Sequence, residues 1–170
     1  MLCGYSPHVI PVPRDWDDRH VVTGYWFLDE PEGWQPPEGL EEFLAAGEAP
    51  VYVGFGSMGD RDAERTTAVV IEALAELGRG AVLSSGWGGL SESDLPDGFF
   101  MVGSVPHSWL FPRVAAVVHH GGAGTTAAGV RAGIPAVVTP VLGDQPFWGR
   151  TLARLGVGTA VAALEETLAV

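Results

Sequence analysis

The sequence predicts an α/β fold: a Rossmann-like parallel sheet with helices on both faces. Three observations carry this. Beyond Pro50, short apolar runs alternate with helical patterns. The runs are continuously apolar, as in strands buried on both faces, where a strand open to water on one side would alternate with polar residues. Glycine-rich turns stand directly after two of the runs, at Gly54–Gly59 and Gly121–Gly124.

The elements follow in order. Ser6 to Pro50 is rich in proline, glycine and acid and holds one short helical pattern at Leu40–Ala46, so it reads as a connecting segment wrapped on a surface. Val51–Phe55 is a buried-strand run ending at Gly56. From Asp62 to Leu77 a helix is predicted, with Val69, Val70, Ala73, Leu74 and Leu77 on its inner face and Gly78 closing it. Ala81–Leu83, Phe99–Val102, Ala115–Val118 and Ala136–Thr139 are further strands, with Val157–Val161 as a last one. Helical segments fall between them near Trp109, at Gly124–Ala132 and at Gln145–Leu155.

Composition narrows the chemistry. The 170 residues carry 21 carboxylates and nine basic residues, a net charge of −12, and all nine bases are arginine. A P-loop needs a lysine on its phosphates and a Schiff-base enzyme needs a lysine amine, so both are excluded. Net acidity argues against nucleic acid or anionic lipid as a broad partner. Cys3 is the only cysteine, which precludes an internal disulfide and fits a reducing, cytoplasmic setting. The N-terminus lacks the basic start of a signal peptide, and no apolar run reaches the roughly 18 residues of a membrane span. The charge is uneven: residues 1–48 hold a net of −8, whereas Phe99 to Leu164 holds one carboxylate, Asp144, against four arginines. That stretch suits an anion.

In open parallel sheets, ligands sit beyond the carboxyl ends of the strands, and the unusual residues cluster there. Gly54-Phe55-Gly56-Ser57-Met58-Gly59 satisfies the G-x-G-x-x-G dinucleotide pattern. However, the second strand ends Ser84-Ser85-Gly86-Trp87, without the carboxylate that would hold a ribose. The following helix also starts too late for the loop to open it. A tight turn is the simpler explanation, and a dinucleotide oxidoreductase remains an alternative. Ser57 makes no nucleophile elbow, because Phe55 stands where glycine is needed.

His119-His120-Gly121-Gly122-Ala123-Gly124-Thr125-Thr126 is the sharper motif: a strand runs into two histidines, then glycines, then a helix of small residues. Small residues let a phosphate approach the free N–H groups of a helix start, and threonine hydroxyls and an imidazole N–H add donors. This is a diphosphate cradle that needs no lysine. The same residues also suit a closely packed βα turn. A zinc site is disfavoured, since adjacent strand histidines point apart and no third ligand is near. Next, Gly143-Asp144-Gln145-Pro146 places Asp144 as a helix N-cap. Alternatively, Asp144 and Gln145 offer two acceptor oxygens and an amide to a sugar's hydroxyls. Finally, Val105-Pro106-His107 to Phe111 links a strand to a short helix, either as a packed connection or with exposed backbone able to read a base edge.

Together these residues resemble the C-terminal, donor-binding half of a GT-B glycosyltransferase of the UDP-sugar superfamily, above all the sterol 3-β-glucosyltransferase type. Related bacterial enzymes that glycosylate polyketide, macrolide or glycopeptide aglycones share the pattern. The blocks that carry the likeness run from Ser6-Pro7-His8 through Gly24–Leu28, Tyr52–Ser57, Gly86–Leu90 and His107–Phe111 to His119–Gly129 and Gly143–Gly149. The resemblance implies a donor domain at 49–170, an interdomain connecting segment packed on it at 1–48, and an N-terminal acceptor domain that this chain does not contain. It implies that His119, Gly122, Ala123, Gly124 and Thr125 hold the diphosphate, with Ser57 approaching the phosphate or sugar. Trp87, Val105 and His107 would lie along the nucleobase, and Asp144 and Gln145 would fix the hexose. Such enzymes invert the anomeric centre without a metal or other cofactor. Their general base, a histidine, lies in the acceptor domain, so no catalytic residue is assigned here. The chain would bind a UDP- or TDP-sugar without turning over alone, and any peripheral membrane contact would come through the missing half. Plant secondary-metabolite members carry a glutamate where Ala127 stands, which leaves a deoxythymidine-linked donor open. A non-catalytic binding domain that kept the fold is the further alternative.

Overall fold

A computed structural model of the chain describes residues 1–28, 30–56, 63–85 and 95–161. Two short strands, β1 (Leu2–Cys3) and β2 (Val21–Val22), form a separate parallel pair in the N-terminal segment. They precede α1 (Leu40–Ala45). The main sheet is built from β3 (Val51–Gly54), β4 (Ala81–Ser84), β5 (Phe99–Val102), β6 (Ala116–His119), β7 (Ala136–Val138) and β8 (Gly158–Ala160). Between them run α2 (Ala63–Glu76), α3 (His107–Leu110) with a 3-10 turn at Phe111–Arg113, α4 (Ala123–Ala132) and α5 (Gln145–Leu155). The predicted strands thus appear within a residue or two of their expected limits.

All five pairings in the main sheet are parallel, in the order β5-β4-β3-β6-β7-β8. The chain starts in the middle, builds outward to β5, then returns to β6 on the other side of β3. That reversal makes the β3–β6 boundary a topological switch point, where loops leave in opposite directions and a crevice opens. The core divides about the sheet. Tyr52, Val82, Val102, Val117 and Val138 pack with Leu40 of α1, Leu110, Phe111 and Leu152 of α5 on one face. Val53, Leu83, Phe55 and Leu74 of α2 pack on the other. Helices therefore cover both faces, as expected.

The N-terminal segment is tied to this body at defined points. Leu40 is fully buried in the larger core, Val9 is buried with its carbonyl accepting from Arg154 Nη2 at 2.9 Å, and Arg79 pairs with Glu48. Among the described residues no helix is long and apolar enough to cross a membrane.

The inner face of α2 differs from the expected one. Leu74 is buried and Val70 is half-buried, but Ala73 is exposed, and Leu77, 72% exposed, lies past the end of the helix. Thr66 and Thr67 take the inward positions one turn earlier. Thr67 can do so because its hydroxyl donates to the Ala63 carbonyl at 2.7 Å, which removes the cost of burying it. The stripe is therefore rotated toward Thr67, Val70, Ile71 and Leu74, a spacing of three, one and three.

Candidate functional site

The switch point is where the site forms. In the sheet register Gly54, the last residue of β3, lies opposite His119, the last of β6, and His119 lies opposite Val138 of β7. The turns that follow these strands carry Gly56, His120–Gly122 and Gly143–Gln145, so three loops converge beyond the strand ends.

His119 is fully buried. Its Nδ1 accepts the Gly121 N–H at 3.1 Å, which places the ring proton on Nε2 in the neutral tautomer. Nε2 is itself buried and has no hydrogen-bond partner. Burial, reinforced by the neighbouring His120 and His107, pushes its pKa down from 6.5 to about 4. The side chain is thus a neutral, oriented N–H donor in want of an acceptor. An unmatched buried donor costs about 1–3 kcal/mol, so the position calls for an acceptor that the described residues do not supply.

Directly after it, α4 opens at Ala123 with Gly122 as N-cap, no side-chain cap and no acidic residue in the first turn. The first helical bond runs from the Thr126 N–H to the Gly122 carbonyl at 2.9 Å, so the N–H groups of Ala123, Gly124 and Thr125 stand ahead of it. Thr126, 1% exposed, holds a second buried and unpartnered polar atom, its Oγ1. Free N–H groups, the helix dipole and an imidazole N–H are the elements of an anion site. A Cβ added at Gly124 would meet nothing within 4 Å. Gly124 lines a cavity of about 560 Å³ together with His107, Arg131 and Trp26-Phe27-Leu28 of the N-terminal segment. Arg131 lies over the Phe27 ring at 4.2 Å and so fastens that segment to α4.

Close packing sets the loop geometry. Gly121 has φ +93°, and a Cβ there would sit 2.7 Å from Val138 Cγ1 and 3.0 Å from the Gln145 carbonyl oxygen. The β6–α4 turn is therefore pressed against the start of α5. The same test at Gly56 and Gly122 places a Cβ 2.7 Å from His120 Cε1 and 2.5 Å from His120 Nε2. His120 was not singled out from sequence, yet its ring fills the gap between the β3 and β6 turns.

Asp144 and Gln145 lie where predicted, with altered capacity. Asp144 is at the N-cap of α5 but makes no cap bond; its Oδ2 instead accepts the Trp148 indole N–H at 2.8 Å. Gln145 is buried, and its Oε1 accepts the N–H groups of Val141 and Leu142 at 2.7 and 2.9 Å. The sequence offered both side chains whole to a sugar. The structure commits one oxygen of each to the fold, so the Gln145 amide nitrogen and Asp144 Oδ1 are what remain for a ligand. The Val105 side chain packs on the larger core. His107 stacks on Phe111 at 4.4 Å and meets the edge of Tyr52, and burial lowers its pKa. Ser57 and Trp87 lie outside the described residues. Among the described residues no three His, Cys, Asp or Glu side chains group so as to hold a metal ion, and the rings of His119 and His120 stand perpendicular, 6.3 Å apart.

The fold is that of a doubly wound α/β domain of GT-B type. The chain belongs to the erythromycin biosynthesis protein CIII-like, C-terminal domain family, whose model matches residues 68–169. It is 44% identical over 163 residues to a sterol 3-beta-glucosyltransferase of Arabidopsis thaliana, covering 95% of this chain and 26% of that protein. The chain therefore spans about a quarter of that relative's length. Among solved structures it is similar to the glycosyltransferase SnogD from Streptomyces nogalater, with TM-score 0.68 and 28% identity over 92% of this chain and 42% of that one. It is also similar to the glycosyltransferase VinC, solved in complex with dTDP, with TM-score 0.55 and 28% identity over 71% of this chain and 31% of that one.

Proposed function

We propose that this chain is the donor-binding half of an inverting, metal-independent glycosyltransferase of the cytoplasm. It holds a nucleoside-diphosphate hexose, UDP-glucose first, for transfer to a hydroxyl of a lipophilic acceptor such as a sterol or polyketide-like aglycone. The observation that carries this reading is the buried, unpartnered Nε2–H of His119 beside the uncapped start of α4. A diphosphate supplies the acceptor oxygens that both lack, and the same donors would stabilise the charge that grows on the leaving diphosphate. Trp87 and the Val105–His107 backbone serve the base, Ser57 the phosphate or sugar, and Asp144 with the Gln145 amide the hexose. The general base comes from an N-terminal acceptor domain. Ala127, buried against the fold, offers no carboxylate to a ribose 2′-hydroxyl, so TDP-sugars compete with UDP-sugars.

Calorimetric titration with UDP, TDP and their glucose conjugates tests this, and absence of binding at millimolar ligand sinks it. His119→Asn sharpens the test. Asparagine keeps an acceptor for the Gly121 N–H and deletes the Nε2 donor. UDP affinity is expected to fall about tenfold, as for loss of one charge-assisted hydrogen bond, and uridine affinity to stay level. Equal losses for both ligands would make the histidine merely structural.

A further inference from the structure

Trp26 is an exposed tryptophan that the fold nevertheless holds in place. It is 68% exposed, yet its indole N–H donates to the Thr23 hydroxyl at 2.8 Å. Its ring lies against Gly4, where an added Cβ would come within 3.4 Å of the indole. The Thr23 N–H donates in turn to the Cys3 carbonyl at 3.1 Å, so the indole is anchored to the β1–β2 pair. Its neighbour Phe27 is anchored elsewhere, under the Arg131 guanidinium of α4. Leu28, 91% exposed, completes the row. Large apolar side chains in succession, two of them ordered by specific contacts and all open to water, mark a position where something binds.

All three side chains line the cavity of about 560 Å³, whose other lining comes from the Pro106–Ser108 turn and from α4. On that helix Gly124, Ala128 and Arg131 recur at intervals of four and three residues and so share one stripe. The cavity falls within the roughly 300–1,000 Å³ of small-molecule sites. Among the described residues Arg131 is the one formally charged side chain on its walls, and it is engaged with Phe27. The space therefore suits a flat, uncharged group. Its place along α4 says which one. The Gly124 N–H is one of the three ahead of the first helical bond, so the cavity begins beside the proposed diphosphate. Asp144 and Gln145, proposed for the hexose, stand at the start of α5 and do not line it. With the hexose toward α5, the other end of the donor, the nucleoside, extends along α4.

Resting on the donor-site reading above, we infer that Trp26, Phe27 and Leu28 form the outer wall of the nucleoside compartment, latched to α4 by the contact of Arg131 with Phe27. The N-terminal segment is then part of the donor site, not only a connection wrapped on the domain. Trp26 is the stacking residue. An indole ordered before the ligand arrives loses little freedom on binding, and stacking on an aromatic ring accepts any base. The wall therefore adds affinity for the nucleoside without choosing between uracil and thymine. Arg131 is a positioning residue: it acts on the ligand through Phe27, by keeping the wall against the helix. Lifting of the segment from α4 and release of the nucleoside are accordingly linked.

The test is calorimetry of UDP, uridine and inorganic pyrophosphate on the wild-type chain, Trp26→Ala, Arg131→Gln, Phe27→Leu and the double variant of the last two. Trp26→Ala is expected to weaken UDP and uridine alike, by about tenfold, and to leave pyrophosphate unchanged. Arg131→Gln should weaken the same two by about threefold. That loss should vanish in the Phe27→Leu background, as for side chains that act through one contact. A loss that persists there overturns the latch. Should a variant fail to fold, the wild type decides by NMR. Its Trp26 indole N–H resonance should shift with UDP and with uridine and hold with pyrophosphate. Equal UDP affinity of wild type and Trp26→Ala, or a Trp26 resonance unmoved by bound UDP, overturns the wall and leaves the donor site standing. No binding of UDP by the wild type overturns both. A Trp26 resonance that moves with a solubilised sterol and not with uridine gives the cavity to the acceptor and also overturns the proposal.

Discussion

Gly121→Ala is expected to destabilise the fold by about 4 kcal/mol and to lower the midpoint of thermal unfolding by about 12 °C. Two costs add at this position. Its φ of +93° is one that a residue with a Cβ adopts only under strain. The new methyl would also lie 2.7 Å from Val138 Cγ1 and 3.0 Å from the Gln145 carbonyl oxygen. The second neighbour is backbone, so relief requires the start of α5 to move. Gly124, three residues on, supplies the contrast. It is helical, and a Cβ there meets nothing within 4 Å. Gly124→Ala is expected to stabilise the chain by about 0.5 kcal/mol through helix propensity. It should nonetheless weaken binding of the diphosphate proposed to lie at the uncapped start of α4, where the added methyl would stand. Thermal melts of both variants with UDP titrations check this. A Gly121→Ala midpoint within about 2 °C of wild type would show that the turn is free to shift and that the packing of β6 against α5 does not define the site.

These glycines bear on how much of the molecule was legible from its residues. The parallel sheet was readable because Val51–Gly54, Ala81–Leu83 and Val117–Val118 are continuously apolar, the pattern of parallel strands covered on both faces. The glycine-rich turns marked the ends of β3 and β6 at the candidate site. The face of α2 was missed for a reason that hydropathy cannot see: Thr67 enters the core by bonding its hydroxyl to its own helix. Gln145 misled in the opposite direction. A polar side chain after Gly143-Asp144 looked available to a ligand, whereas its carbonyl oxygen secures the Val141 and Leu142 N–H groups. Trp148, four residues after Asp144 and so one helical turn away, gave a hint that the carboxylate had a partner within the chain. The different surroundings of the His119 and His120 rings could not be read from the motif. They depend on which ring nitrogen the Gly121 N–H reaches and on how close Gly56 of another strand's turn approaches. Both are properties of the sheet register.

Acid should unfold this domain through its buried imidazoles. His119 titrates near 4 in the folded chain, against an ordinary value of 6.5. Between those limits the unfolded chain binds the proton that the folded chain refuses. Stability is therefore whole above pH 6.5, falls as pH drops from 6.5 to about 4, and levels off below. The displacement corresponds to about 3 kcal/mol for this one side chain, a large part of the 5–15 kcal/mol typical of a domain. Burial lowers the pKa of His107 and His120 as well, so their contributions carry the same sign. Carboxylates titrate lower and also contribute to acid unfolding, so the His119 share is read as a difference. Urea unfolding of the wild type and His119→Asn is compared at pH 7.5, 6, 5 and 4.5. The variant should be the less pH-dependent of the two, with the gap opening below pH 6.5. Parallel pH profiles would mean that the wild-type ring accepts a proton without penalty. It would then not be the neutral, buried donor on which the diphosphate site depends.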